Sequence, residues 1–177
     1  MADVDGNEQI GGFTKRFEID ETYVGSNVEG RGLGYVGNKM VVIGMLGRGG
    51  DLLTQVVPNR GGAALLPVIR QHVRQHTKIP TDELSAYQGL PTMGYWRKSV
   101  SHRREEYVSP TGTTVNAIVG FWRRFKCSLH SSHVSVSCKY VGTYAKKFKY
   151  RFNRRHAPAS MLPKLLSTFQ PLKPKRD

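Results

Sequence analysis

Two acidic residues stand where a folded chain could bring them together for metal chemistry. Asp20 lies within a strand-like segment, and Asp82 directly follows another. Aspartate is depleted in strands, and a side chain at a strand's end projects into the crevice of an open sheet. Carboxylates from two strands can share Mg²⁺ or Mn²⁺, and paired ions support phosphoryl transfer. The pattern suggests a divalent metal site. The alternatives are an exposed edge-strand acid at 20 and a helix N-cap at 82.

A second group has residue types and spacing that suit zinc. The pattern C-x₂-H-x₂-H-x₄-C is formed by Cys127, His130, His133 and Cys138. Cysteine and histidine are the usual ligands of zinc, and a short loop between two helices could gather them. The alternative is that these residues lie on helix surfaces and bind no metal.

Positive charge is concentrated in the second half of the chain. Residues 1–94 hold 9 Lys and Arg against 10 Asp and Glu, whereas residues 95–177 hold 18 against 3. Such segregation favours a polyanion partner, most simply DNA or RNA, over a basic surface kept for solubility. The predicted phosphate-binding residues are Arg123, Arg124, Lys126, Lys139, Lys146, Lys147, Lys149, Arg151, Arg154 and Arg155.

The composition excludes several classes of protein. With 38% hydrophobic and 10% aromatic residues, the chain can bury a core, so a disordered basic protein is excluded. The longest apolar run, Met40–Leu46, is too short for a membrane span. Two cysteines without a CxxC pattern do not form a disulfide scaffold. We therefore expect an intracellular protein without a membrane partner.

The hydrophobic periodicity predicts an α/β domain with a mixed sheet flanked by helices. The predicted strands are residues 13–24, 40–46, 52–57, 77–81 and 95–100, with a hairpin turn at 47–51. The predicted helices are residues 61–76, 83–88, 113–129 and 135–155. The expected apolar stripe of the third helix is Val115, Ile118, Val119, Trp122 and Phe125. In the last helix, Tyr144, Phe148 and Phe152 are spaced to face the core.

Several segments, in the right order, resemble motifs of the ISXO-like, Merlin-related family of DDE transposases. The first acidic motif is matched by residues 17–25 (FEIDETYVG), followed by 55–58 (QVVP) and 65–70 (LLPVIR). The second is matched by residues 81–87 (TDELSAY), and the stretch beyond it by Ser101-His102 and 106–108 (EYV). The third is matched by residues 116–122 (NAIVGFW) with Lys126, and the terminal basic run by 151–155 (RFNRR). The resemblance covers residues 15–155 approximately, which is nearly the whole domain.

This resemblance implies an RNase H-like fold and DNA strand cleavage and joining that depends on Mg²⁺ or Mn²⁺. Asp20 and Asp82 match the first two metal-binding acids of the family. Where the family has the third acid, a glutamate, this chain has Val119. Valine offers no oxygen, so the metal would lose a ligand. Asn116, one helical turn earlier, is a possible substitute through its carbonyl oxygen.

The resemblance leaves the activity open. The first hypothesis is a transposase-like, RNase H-like nucleic-acid-binding domain whose catalysis is degenerate because Val119 replaces the glutamate. The alternatives are a domesticated structural component of a nucleoprotein or ribonucleoprotein assembly, and a still active metal-dependent transposase domain. The expected cofactor is Mg²⁺ or Mn²⁺ if the chain is active, and otherwise none.

The expected organisation is a flexible tail at 1–12, the transposase-type domain at 13–155 and a basic, Pro-rich tail at 156–177. Transposases of this family usually carry a zinc-binding DNA-recognition region before the catalytic domain, whereas only about a dozen residues precede the first motif here. We therefore expect either a truncated transposase or a domain that works without that region.

Overall fold

The protein is described by a computed structural model that covers residues 9–12, 17–25, 39–47, 50–81, 85–99, 116–132 and 136–168. The strands are β1 (Phe17–Val24), β2 (Met40–Gly47), β3 (Leu52–Val57), β4 (Lys78–Thr81) and β5 (Trp96–Ser99). The helices are α1 (Gly62–His72), α2 (Asn116–Ser132), α3 (Cys138–Asn153) and α4 (Met161–Leu166). Short 3₁₀ turns span Ser85–Tyr87, Pro91–Met93 and Pro158–Ser160. The predicted mixed α/β class is confirmed.

The first three strands form an antiparallel sheet in the order β1-β2-β3. Asp20 is paired with Gly44, and Gly44 in turn with Thr54. At the predicted hairpin, the Gly47 N–H donates to the Asp51 carbonyl over 3.0 Å, and Gly50 adopts a φ of +107°, which favours glycine. Strand β3 has the predicted bounds, and the hairpin is confirmed.

A second, parallel sheet is formed by β4 and β5. Strand β4 also contacts β1. The Thr81 hydroxyl, at the end of β4, accepts a hydrogen bond of 3.0 Å from Arg97 Nε of β5. The end of β4 is thereby tied to β5.

Both faces of the three-stranded sheet are covered. On one face, Phe17 and Ile19 of β1 pack with Ile69 of α1 and Ile79 of β4. On the other face, α2 and α3 form a second core that includes the fully buried Phe125. Alternate residues of β1 therefore face different helices, as the period of two along a strand requires.

Helices α1 and α3 are shorter than predicted, α2 ends three residues later than predicted, and the apolar stripes are only partly as predicted. The expected core positions of Trp122, Phe125 and the α3 aromatics are confirmed. Val119, predicted to belong to the buried stripe of α2, is instead 51% exposed. The prediction was wrong because Ile118, Phe121 and Phe125 already complete the face that packs on the sheet. Residues 13–16, Val115 and the ends of several predicted elements lie outside the described residues.

The described parts of the two predicted tails are folded. The Ile10 N–H donates to the His72 carbonyl, and the Arg74 N–H donates back to the Ile10 carbonyl, each over 2.9 Å. At the other end, the Tyr150 hydroxyl donates to the Met161 carbonyl and holds the start of α4. Among the described residues, none of the helices has the length and apolarity that crossing a bilayer requires.

Candidate functional site

Asp20 lies half-buried in the middle of β1, on the sheet face that α2 covers. Its cross-strand partner Gly44 has no room for a side chain, since a Cβ there would lie 2.6 Å from the Trp122 ring and 3.0 Å from Ile118 Cδ1. Directly opposite residues of an antiparallel pair share a face, so Asp20 also points to the α2 side. Asp82 lies outside the described residues, one position after the end of β4. Thr81, which precedes it, is buried.

Glu18, two residues before Asp20 on the same face, anchors the start of α2. Its carboxylate Oε2 accepts hydrogen bonds from the N–H groups of Ala117 at 3.1 Å and Ile118 at 2.9 Å. Negative charge at a helix N-terminus satisfies orphan donors and complements the helix dipole. Glu18 is only 2% exposed, so these bonds are sheltered from water. The first turn of α2 is therefore held against β1 beside Asp20.

Position 119, where the resemblance predicts the family's third acidic residue, directly follows this anchor. Val119 is the next residue after Ile118, and its side chain is exposed. The hydrocarbon side chain supplies no ligand, so the residues of this turn do not fit a site made of three carboxylates. Asn116 begins α2, but its side chain lies outside the described residues, so its proposed role as a substitute remains a prediction.

The predicted zinc site stays a prediction. Cys127 and His130 are exposed on α2, Cys138 is half-buried at the start of α3, and His133 lies outside the described residues. Among the residues that the structure does describe, no three His, Cys, Asp or Glu side chains are grouped in a way that could hold a metal ion.

The predicted phosphate-binding residues divide between two helices. Arg123, Arg124 and Lys126 are all exposed on α2, as predicted. On α3, the exposed members are Lys139, Lys146, Lys147 and Arg151.

Three of the predicted cations are engaged within the fold. Lys149 is only 6% exposed and does not belong to the surface set. The Arg154 guanidinium lies 5.0 Å from the centre of the Tyr150 ring, and that of Arg155 lies 4.1 Å from the centre of the Phe152 ring. Arg155 also donates to the Phe152 carbonyl at 2.8 Å and the Gly50 carbonyl at 3.4 Å. The cations at the end of α3 therefore help to attach that helix to the β2–β3 hairpin.

A buried polar cluster lies on the opposite face of β1. Glu21, 8% exposed, accepts hydrogen bonds from the Tyr87 hydroxyl and, at 3.1 Å, from the Arg60 guanidinium. Burial lowers the pKa of Arg60, but the hydrogen bond and charge of Glu21 outweigh it, so the pKa of Arg60 lies above its usual value. This cluster ties β1 to the α1 side of the molecule and leaves Asp20 on the other side.

Sequence patterns missed the roles of Glu18 and Glu21. Their period-two spacing with Asp20 placed Glu18 on the same face as Asp20 and Glu21 on the other. The spacing could not predict which group each carboxylate contacts. The partners of Glu18 lie about one hundred residues away along the chain, and Tyr87 lies 66 residues from Glu21.

Comparison with known proteins agrees with this arrangement. A family model described as the ISXO2-like transposase domain matches residues 11–153, which include β1–β5, α1, α2 and α3. A protein of Haemophilus influenzae described as an uncharacterized transposase-like protein is 28% identical over 100 residues, covering 56% of this chain and 79% of the relative. The family match spans most of the chain and both faces of the sheet. The chain belongs to the ISXO2-like family of DDE transposase domains.

Proposed function

We propose that this chain is a transposase-type domain that binds DNA but has lost strand cleavage. Members of the DDE transposase family typically use a divalent metal and act on DNA. This chain would therefore share the DNA binding of the family but not its metal-dependent strand cleavage.

The observation that carries the proposal is the position of Val119. Glu18 holds the first turn of α2, and the resemblance to the family assigns the third carboxylate to position 119, where this chain has an exposed valine. Metal sites tolerate little displacement of their ligands, and replacing a carboxylate by a hydrocarbon removes both an oxygen and a negative charge. Asp20 alone, even with Asp82, leaves that site one acidic residue short.

The arrangement of strands supports an RNase H-like fold as part of the same proposal. Because β4 contacts β1, the two sheets would read as one sheet in the order β3-β2-β1-β4-β5. In this order β1, the strand of Asp20, is central, and β4, which ends one residue before position 82, is its neighbour. Open α/β sheets bind their ligands in the crevice outside the carboxyl ends of their strands.

Binding of DNA is supported by the exposed cations of α2, a helix that covers the Asp20 face. On the opposite face, α1 has Arg70 as its exposed cation among the described residues. Lys and Arg side chains bind phosphates and release counterions, which gives affinity without sequence recognition.

A nicking assay on supercoiled DNA tests the loss of cleavage. We expect no cleavage by the wild-type chain with Mg²⁺ or Mn²⁺, while DNA binding persists in EDTA. Three variants accompany it: Asp20→Ala, Val119→Glu and Val119→Gln. Since the glutamate restores a carboxylate and the glutamine matches its size without the charge, any gain of cleavage should be confined to Val119→Glu.

Cleavage by the wild type that disappears in Asp20→Ala would contradict the proposal and identify an active metal-dependent transposase domain. A parallel binding series with duplex RNA separates a DNA-binding domain from a component of a ribonucleoprotein. Affinity for RNA well above that for DNA would favour the ribonucleoprotein alternative.

A further inference from the structure

We propose that one flank of α2, defined by Val119, Arg123, Lys126 and His130, binds the phosphate backbone of DNA. This inference rests on the proposed function and assigns the binding to a particular surface. It also distinguishes that surface from α3, although α3 has exposed cations too.

The four residues form a continuous stripe along the helix. Their spacings of four, three and four residues place them on one side of an α-helix. All four are exposed. At 1.5 Å per residue the stripe is about 16 Å long, and a DNA strand carries one phosphate per roughly 3.4 Å of axis, so the stripe can follow several phosphates.

The position of the stripe is set by what the other side of α2 contacts. Phe121 packs edge-on against Phe152 of α3, with ring centres 5.3 Å apart, and Phe125 packs against Phe148 at 5.1 Å. Phe121 is two residues from both Val119 and Arg123, which is about half a turn around the helix. The stripe therefore lies on the flank of α2 that faces away from α3.

That flank borders the acidic side of the sheet. Helix α3 packs over β3 and β2, α2 packs over β1 and β2, and β1 is an edge strand of this sheet. A flank of α2 that faces away from α3 therefore faces the β1 edge, next to the strand of Asp20. A DNA backbone on this flank would pass where the family's chemistry takes place, which makes the location consistent with the origin of the domain.

The electrostatics of the flank favour an anion from outside the chain. Within the described part of the chain, Arg123 and Lys126 form no ion pair and no contact with an aromatic ring. Val119 carries no charge, so the stripe has no acid of its own to repel a phosphate. On α3, Lys139 lies 5.6 Å from the Tyr140 ring centre, and Arg154 and Arg155 are stacked on rings, whereas Lys147 and Arg151 are exposed like the cations of α2.

Two double variants with the same change in net charge test the assignment. Arg123→Gln with Lys126→Gln alters the flank. Lys139→Gln with Lys146→Gln removes two of the exposed cations of α3. The measurement is the affinity for a duplex DNA of random sequence in EDTA, titrated with salt. Circular dichroism and thermal melting establish that both variants are folded.

The flank variant should lose roughly tenfold in affinity per residue at 0.1 M salt, and the slope of log affinity against log salt should fall by about two. The α3 variant should keep the wild-type slope. Equal losses in both variants, or a loss confined to the α3 variant, would overturn the assignment while leaving DNA binding intact. A wild-type chain that does not bind DNA would instead refute the proposed function itself.

Discussion

Helices α2 and α3 have similar lengths and basic compositions, but their cations serve different purposes. On α2, Arg123 and Lys126 extend into solvent, and the helix is attached to the sheet through its N-terminus by Glu18. On α3, the attachment is at the C-terminal end, where Arg155 contacts the β2–β3 hairpin and Asn153 bonds to β3. Charge that is used to hold a helix in place is not available to hold a phosphate.

Net charge therefore does not locate a binding surface. The three residues Lys149, Arg154 and Arg155 contribute to the excess of positive charge as fully as Arg123 does. Their partners are aromatic rings and backbone carbonyls nearby, or the protein interior. Arginine stacks readily on aromatic faces, and α3 interleaves its cations with aromatic residues whereas α2 keeps its aromatics on the buried face.

The largest effect should come from the core that the two helices share. Phe125 is fully buried and packs against Phe121 and Phe148. Phe125→Ala should lower the free energy of unfolding by about 3–5 kcal/mol, because it leaves a cavity between α2, α3 and the sheet. Urea denaturation measures the loss, and hydrogen exchange should show both helices opening together.

If Phe125→Ala is too unstable to purify, Phe125→Leu provides a milder cavity with the same expected pattern. Loss of protection in one helix alone would contradict the view that α2 and α3 form one layer with separate attachments.

A smaller effect is expected at the attachment of α2. Glu18→Ala removes the carboxylate that accepts from Ala117 and Ile118, and leaves those N–H groups without their partner. We expect a loss of about 2–3 kcal/mol in the free energy of unfolding, with faster hydrogen exchange at the two amides. The isosteric Glu18→Gln should recover part of it, since an amide oxygen still accepts hydrogen bonds but lacks the charge.

Asn153→Ala is the matched control on α3. Asn153 accepts from the Leu52 N–H at 2.9 Å and donates to the Leu52 carbonyl at 3.0 Å. Its removal should expose β3 and the end of α3 while leaving the amides of 117 and 118 protected. Identical exchange patterns in the two variants would show that the attachments are not independent.

The sequence predicted the elements better than it predicted their partners. Strand β3 and the hairpin were predicted within a residue because alternation and turn glycines are local signals. The exposure of Val119 was missed because a valine spaced three or four residues from other apolar residues fits a buried stripe equally well. The side of α2 that packs on the sheet is the side that carries Trp122 and Ile118, because Gly44 has no side chain and leaves space for them.

The site was predictable to the same degree. The sequence placed Asp20 on a strand and Val119 on a helix, and the structure adds that Glu18 holds the two elements together. Spacing alone cannot distinguish a cation in solvent from one that is stacked on an aromatic ring, as Arg154 and Arg155 are. Residue type indicated which acidic residues could bind a metal, but it did not indicate that Lys149 is buried. That burial depends on the contacts of α3 with β3.

The smallest expected effect on stability gives the sharpest contrast between the helices. Arg155→Gln removes a guanidinium that lies 4.1 Å from the Phe152 ring centre and donates to two carbonyls, so it should cost about 0.5–1 kcal/mol of stability. Arg123→Gln removes an exposed side chain and should change stability by less than about 0.5 kcal/mol.

DNA binding should respond in the opposite order, because a cation that already contacts other groups of the fold adds little to the affinity for a phosphate. Arg123→Gln should weaken binding by roughly tenfold at 0.1 M salt, and Arg155→Gln should leave it near the wild-type value. Thermal melting and salt-titrated binding on the same two proteins provide the comparison. If Arg155→Gln weakens binding as much as Arg123→Gln does, the stacked cations of α3 also contact the DNA. The assignment of DNA binding to α2 alone is then wrong.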